Sequence, residues 1–237
     1  MQRQEKLTIL CLLALITACL ATSRKAMGRG ADPQLPLVVL TADTDSRTPL
    51  VVFISGDGGW KDFDPRLAAQ FVARRCPVVA LNALHYFWSR KTPDQTTAVV
   101  TGLIDRYMKT WDKRTFILAG FSFGADVMPF VVNRLAPALR AQCQGVALFS
   151  PSTSTDFEIH VSQMLSSHKQ WPYDVVQEIL RRADVPMLCF FGTEEHDFPV
   201  DRLSGPGLQV IRLAGGHHYE ANQDDIAAIV LKRLGID

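Results

Sequence analysis

An apolar run, Thr115-Phe116-Ile117-Leu118-Ala119, ends in Gly120-Phe121-Ser122-Phe123-Gly124, and a helix-favouring segment starts at Ala125. Strand, G-x-S-x-G, helix is a strong constraint on a fold, because the turn is so tight. The serine is forced into strained dihedrals, and its neighbours two residues away must be small enough for strand and helix to approach. The gain is a hydroxyl exposed at a helix N-terminus, where backbone N–H groups favour developing negative charge. An ordinary serine in a glycine-flanked turn would satisfy the same pattern. The reading therefore depends on whether other residues supply a base, an orienting acid and an oxyanion hole.

The rest of the chain alternates strand and helix patterns. Leu35 to Thr41 predicts a short edge strand. Leu50-Val51-Val52-Phe53-Ile54 is apolar throughout, as buried parallel strands tend to be. A helix is expected from Pro65 to Arg75, with Asp64 as its N-cap. Pro77 to Leu84 predicts a strand, and Thr92-Pro93 opens a helix to Trp111. Further strands are expected at Gly145–Phe149, Val185–Phe191 and Gln209–Leu213. Helices are expected at Pro172–Arg182 and Asp224–Leu234. This alternation predicts an α/β fold, α/β-hydrolase-like, with a mostly parallel sheet and helices on both faces. Ligands of such sheets bind at the carboxyl ends of the strands, where loops distant in sequence converge.

The N-terminus reads as a leader. Arg3 and Lys6 precede an apolar run from Leu7 to Leu20, and small residues follow. That run is too short for a comfortable membrane span, so residues 1–26 are read as an export signal. Residues 27–34 are read as a linker and 35–237 as the folded domain. Ile16-Thr17-Ala18-Cys19 also fits a lipoprotein processing box, which makes Cys19 a candidate lipid anchor. Beyond the leader, Cys76, Cys143 and Cys189 are read as buried free thiols. The formal net charge is only +1, with 25 basic and 24 acidic residues and no basic run, so direct nucleic-acid binding is not expected.

Ser122 needs a base, and His217 and His218 lie on the loop after the last strand. The order Ser, acid, His is that of an α/β-hydrolase. His217, just after Gly215-Gly216, is the preferred base, with His218 as the alternative. The orienting acid should come from Thr193-Glu194-Glu195-His196-Asp197. Asp197 is preferred for its shorter side chain, with Glu195 as the alternative. The oxyanion hole is assigned to the backbone N–H groups of Asp57 and Phe123. Gly56 and Gly58 flank Asp57 in a glycine turn that lacks the ending of a phosphate-binding P-loop. Asp57, Asp126, Glu194 and Glu195 would make an acidic mouth suited to a cationic substrate. Tyr86, Phe87 and Trp88 could cover the apolar part of that substrate or face a bilayer; core packing is the plainer expectation for Phe87. Neither a metal nor a cofactor is implied.

Ser55–Trp60 (SGDGGW), Tyr86–Pro93 (YFWSRKTP), Gly120–Asp126 (GFSFGAD), Phe157–Val161 (FEIHV) and Gly215–Tyr219 (GGHHY) resemble, together and in order, the VirJ/AcvB family of bacterial virulence proteins. The size resembles the short VirJ form. The resemblance implies a periplasmic, serine-hydrolase-like protein linked to T-DNA transfer by type IV secretion. It also implies an ester substrate such as lysyl-phosphatidylglycerol. Tyr219 stands where that family's pattern leads one to expect phenylalanine. Two functions are expected on this basis. One is a periplasmic esterase acting on a lipid or small ester, with peripheral membrane contact. The other is a non-catalytic adaptor for type IV secretion components or secreted virulence proteins, docking through the irregular stretch 151–171.

Overall fold

In a computed structural model of the protein, residues 35–42, 47–160, 171–181, 184–222 and 224–236 are described. The expected leader, the linker, Cys19 and residues 161–170 of the irregular stretch lie outside them. The chain divides into Met1–Leu35 and Pro36–Asp237, and the sheet and its helices belong to the second unit.

Seven strands form one sheet: β1 (Leu37–Leu40), β2 (Leu50–Ile54), β3 (Val78–Leu81), β4 (Phe116–Phe121), β5 (Cys143–Phe149), β8 (Met187–Gly192) and β9 (Leu208–Leu213). Their order is β1-β3-β2-β4-β5-β8-β9. Only β1 on β3 is antiparallel, so the expected edge strand is an edge strand. β6 (Ser154–Thr155) and β7 (Tyr173–Asp174) form a separate short pair. β2, β3, β4 and β8 are buried at every residue, because helices cover both faces.

One face carries Val51, Phe53, Val78, Ala80, Ile117 and Ala119 against α1 (Phe63–Ala73) and, after β9, the C-terminal helix Ile226–Arg233. Between them run α2 (Ala83–Tyr86), α3 (Pro93–Thr110), α4 (Phe123–Arg134), α5 (Pro137–Arg140) and α6 (Val175–Arg181), which makes the C-terminal helix α7. α3 and α4 cover the opposite face and α6 packs on α4. α3 starts where the sequence places it. The Thr92 hydroxyl accepts Gln95 N–H and the Gln95 side chain accepts Thr92 N–H, a capping box ahead of Pro93.

α1 departs from expectation. It begins at Phe63, and Asp64 lies inside its first turn rather than capping it. The cause is the Phe63 ring, which packs on Phe121, Phe149 and Tyr219 and draws the turn into the core. Asp64 is carried in with it. Burial pushes its carboxyl up to about 8, against backbone hydrogen bonds at Gly56 and Lys61. Cys76, Cys143 and Cys189 are buried and free, as expected.

Register aligns the carboxyl ends of the central strands. Ile54 pairs with Gly120, Phe121 with Phe149, and Phe149 with Phe190. The ladder continues one step beyond the strands. Ser122 N–H donates to the Phe149 carbonyl at 2.8 Å, and Ser150 N–H to the Phe190 carbonyl at 2.8 Å. Two serines thus occupy equivalent strand-end positions on neighbouring strands.

Candidate active site

Ser122 joins β4 to α4 with φ 51° and ψ −116°. A non-glycine residue there costs about 1–3 kcal/mol, so the surroundings must impose it. They do so by close approach. A Cβ on Gly124 would collide with the Ile54 carbonyl, and one on Gly120 with the Gly124 carbonyl. Only glycine at both places lets α4 start directly over the ends of β2 and β4.

The Ser122 hydroxyl lies 3.0 Å from His217 Nε2, and His217 Nδ1 lies 2.8 Å from Glu195 Oε1. Glu195 Oε2 accepts Gly192 N–H at 2.6 Å and the Ser150 hydroxyl at 2.7 Å. Burial alone would raise the Glu195 carboxyl. Hydrogen bonds from His217, Ser150 and Gly192 N–H outweigh it and hold the group below the ordinary carboxylate range.

The expected acid, Asp197, is therefore corrected to Glu195. Backbone pairing with the β9 side persists past β8: Thr193 N–H donates to the Leu213 carbonyl and Glu194 N–H to the Gly215 carbonyl. Glu195 is the first residue free to turn back. Its amide closes a turn on the Gly192 carbonyl at 3.2 Å, and its side chain folds over Gly192 N–H. Arg212 donates to the Gly192 and Glu195 carbonyls, 2.9 Å each, which pins that turn. Asp197 lies two residues further on and is exposed. Side-chain length, on which the preference for Asp197 rested, says nothing of where the loop reverses.

His217 is the histidine that reaches Ser122. His218 is exposed, with its ring 5.4 Å from that of His217 and its carbonyl accepting from Arg66. Gly192 makes the meeting of these loops feasible, since a Cβ there would strike the Gly215 and Gly216 carbonyls.

The glycine turn comes to the same point. A Cβ on Gly56 would touch the Phe121 ring and lie 3.7 Å from Ser122 Cβ. Gly59 N–H closes the turn on the Gly56 carbonyl at 3.0 Å, while the N–H groups of Asp57 and Phe123 have no acceptor among the described residues. Ser55 ties this turn to the next strand end, its hydroxyl accepting Ala83 N–H at 2.8 Å. Gly58 is overhung by Lys61.

The aromatic loop lies beside the Ser122 turn. Phe87 is fully buried with its ring 4.9 Å from that of Phe123, so for this residue core packing is the observed role. Tyr86 is half-buried under the Lys91 ammonium, and Trp88 is 64% exposed.

The acidic mouth is smaller than expected. Asp126 is buried and accepts Ser152 N–H at 2.5 Å. Burial, with repulsion from Asp57, pushes its carboxyl well above the ordinary range against hydrogen bonds from Ser152. It secures the loop after β5 and, being buried, does not line the mouth. Glu195 is committed to His217. Asp57 is half-buried and Glu194 exposed. Glu220, absent from the acids expected at the mouth, holds Gly216 N–H at 3.0 Å beside Glu194.

Ser150 is a second residue that sequence reasoning missed. Its signal was available: it follows β5 as Ser122 follows β4. A separate cluster, Asp156, Glu158 and His160, brings its side-chain ligand atoms within 4.8 Å of one another. Arg90 already fills the cationic role there, 2.9 Å from Glu158 and 3.8 Å from Asp156, and His160 bonds Asp156 at 2.6 Å.

Comparison with known proteins bears on the fold and the family. The chain is similar to Est1E from Butyrivibrio proteoclasticus, with 11% identity, a TM-score of 0.61, and 86% of this chain and 97% of that one covered. It is similar to the enol-lactonase from Burkholderia xenovorans LB400, with 16% identity, a TM-score of 0.58, and 84% and 96% covered. For the proline iminopeptidase of Mycobacterium smegmatis the values are 13%, 0.57, 84% and 93%. At such identities the likeness shows the fold alone, which is the α/β-hydrolase fold. A search of curated protein sequences finds no match. Residues 48–236 match the family described as Bacterial virulence protein (VirJ). With most of its length matched in this way and a hydrolase fold beneath it, the chain belongs to the VirJ family of bacterial virulence proteins.

Proposed function

We propose that the chain is a serine hydrolase of carboxylic esters. The observation that carries this reading is the unbroken hydrogen-bond path from Ser122 Oγ through both nitrogens of His217 to Glu195, at 3.0 and 2.8 Å. In this reading His217 Nε2 takes the Ser122 proton as Oγ attacks the ester carbonyl. Glu195 holds Nδ1–H and stabilises the imidazolium. The N–H groups of Asp57 and Phe123, which have no other acceptor among the described residues, receive the oxyanion. His217 returns the proton to the leaving alcohol, and water then releases the acid by the same steps in reverse. A fluorophosphonate probe should modify the protein at a single residue, mapped by peptide mass spectrometry to Ser122. A protein that stays unmodified, or is modified elsewhere, would rule the reading out.

For the substrate we propose an aminoacylated phospholipid such as lysyl-phosphatidylglycerol, met in the periplasm, in support of virulence-protein or T-DNA transfer by type IV secretion. Support comes from the family resemblance, the leader-like N-terminus and three carboxylates around the mouth. Asp57, Glu194 and Glu220 stand there without a paired cation in the salt bridges of the described residues. Such a mouth attracts an ammonium group, and salt weakens the attraction. Lysyl esters should be hydrolysed about three- to tenfold faster than alanyl esters at low ionic strength, the gap closing as salt is added. Equal rates at low salt would remove the electrostatic argument while leaving the hydrolase reading intact.

A further inference from the structure

We infer that Tyr219 and Ser150 are positioning residues for the triad, forming a buried hydroxyl chain that fixes Glu195 and, through it, His217. This rests on the serine-hydrolase reading above.

Tyr219 Oη lies 2.6 Å from Ser150 Oγ, and Ser150 Oγ lies 2.7 Å from Glu195 Oε2. The Phe190 carbonyl lies further from the phenol, at 3.1 Å. Each hydroxyl has one proton, and a carboxylate can only accept, so the shorter contacts order the chain. Ser150 donates to Glu195, and Tyr219 donates to Ser150. Donation from Tyr219 to Phe190 would leave the 2.6 Å contact to Ser150 without a proton unless Ser150 gave up Glu195. Burial, with the Glu195 charge nearby, pushes the Tyr219 phenol well above its ordinary value, so the phenol keeps the proton it donates to Ser150.

The backbone is arranged around this chain. Ser150 has φ 51° and Tyr219 has φ 52°, both in the region that disfavours side chains other than glycine. Ser150 is 2% exposed and Tyr219 1% exposed. Tyr219 follows His217 by two residues, so one strained turn aims the imidazole outward at Ser122 and the phenol inward at Ser150. A phenylalanine would fill the same aromatic site against Phe63 and Phe149; what tyrosine adds is the hydroxyl. Each donor on Oε2 restrains the carboxylate plane, and hence the direction in which Oε1 meets Nδ1.

The test uses Tyr219→Phe and Ser150→Ala in the full chain. Two readouts need no knowledge of the substrate: the rate of fluorophosphonate labelling, and the downfield proton resonance of the imidazole Nδ1–H shared with Glu195. Each substitution should slow labelling about tenfold, and the double variant should be no slower than the worse single one. The downfield resonance should broaden or move in both. In a Glu195→Gln background Tyr219→Phe should have no further effect. A merely structural phenol would lower thermal stability while leaving labelling rate and resonance unchanged, and that result overturns the inference. Independent, multiplying effects of the two substitutions overturn it as well. A wild type that neither labels nor turns over esters brings down the hydrolase reading and this inference together; a labelled wild type indifferent to both substitutions brings down this inference alone.

Discussion

If the chain is the ester hydrolase proposed, Ser122→Ala should lower hydrolysis by about a millionfold, to the residual rate that binding and the oxyanion N–H groups can sustain. The expectation comes from how the residue is held. Its hydroxyl is the atom of the nucleophile turn that reaches His217 Nε2, at 3.0 Å, and alanine removes it. Alanine at φ 51° is as strained as serine, so the backbone gains nothing by relaxing. Ser122 N–H still donates to the Phe149 carbonyl, and Asp126 N–H still closes on the Ser122 carbonyl. Thermal melting should therefore stay close to wild type while turnover disappears. Retained hydrolysis in a folded Ser122→Ala protein would mean that another group does the chemistry. The same variant separates hydrolase from adaptor in the cell. If it supports virulence as well as wild type does, turnover at Ser122 is not what that phenotype requires.

Glu195→Gln should cost about ten-thousandfold in turnover, whereas Asp197→Asn should change it by less than about threefold. The contrast is geometric. Oε2 of Glu195 receives two donors, Gly192 N–H and the Ser150 hydroxyl. In a glutamine the carbonyl oxygen must take that place, because an NH2 there would face two N–H or O–H groups. The amide NH2 is then left facing His217 Nδ1. That nitrogen becomes the acceptor, and the ring proton moves to Nε2, where it points at Ser122 instead of accepting from it. The base is present and correctly placed, but in the wrong tautomer. A linked effect concerns stability. The folded-state carboxyl of Glu195 is held below its ordinary range, so the stability it contributes is present above that range and is lost as the pH falls through the folded value. The stability difference between wild type and Glu195→Gln should shrink on acidification below about pH 4. A large loss in Asp197→Asn with Glu195→Gln near wild type would reverse the assignment of the acid.

The parts of the site that were legible beforehand are those written in local chemistry. Gly120 and Gly124 around Ser122 announce a tight turn because no other residue fits there, whatever the rest of the chain does. Leu50–Ile54 and Phe116–Phe121 announce buried strands because they are apolar without alternation. Thr92-Pro93 with Gln95 announces a helix start because the capping groups are close neighbours in sequence. Each of these rests on interactions within a few residues, and the structure differs from expectation there by one or two residues at most.

The corrections all concern contacts made across the sheet. Asp64 reads as an N-cap until Phe63 pulls it inside the core. Asp126 reads as a mouth charge until its side chain is seen buried and accepting Ser152 N–H from the neighbouring strand end. Glu195 and Asp197 cannot be told apart by residue type, because the choice depends on how far pairing between the β8 and β9 ends continues before the loop reverses. Ser150 and Tyr219 carry no catalytic motif. Their 2.6 Å contact joins residues 69 apart and exists only because β5, β8 and the His217 loop end at one level. By itself the sequence determined the G-x-S-x-G turn that exposes Ser122, the alternation that builds the sheet, and the pool of carboxylic acids and histidines at its carboxyl edge. The tertiary structure decided which members of that pool meet Ser122 and one another, because hydrogen bonds of 2.6 to 3.0 Å are set by strand register and loop reversal, and those are properties of the whole sheet.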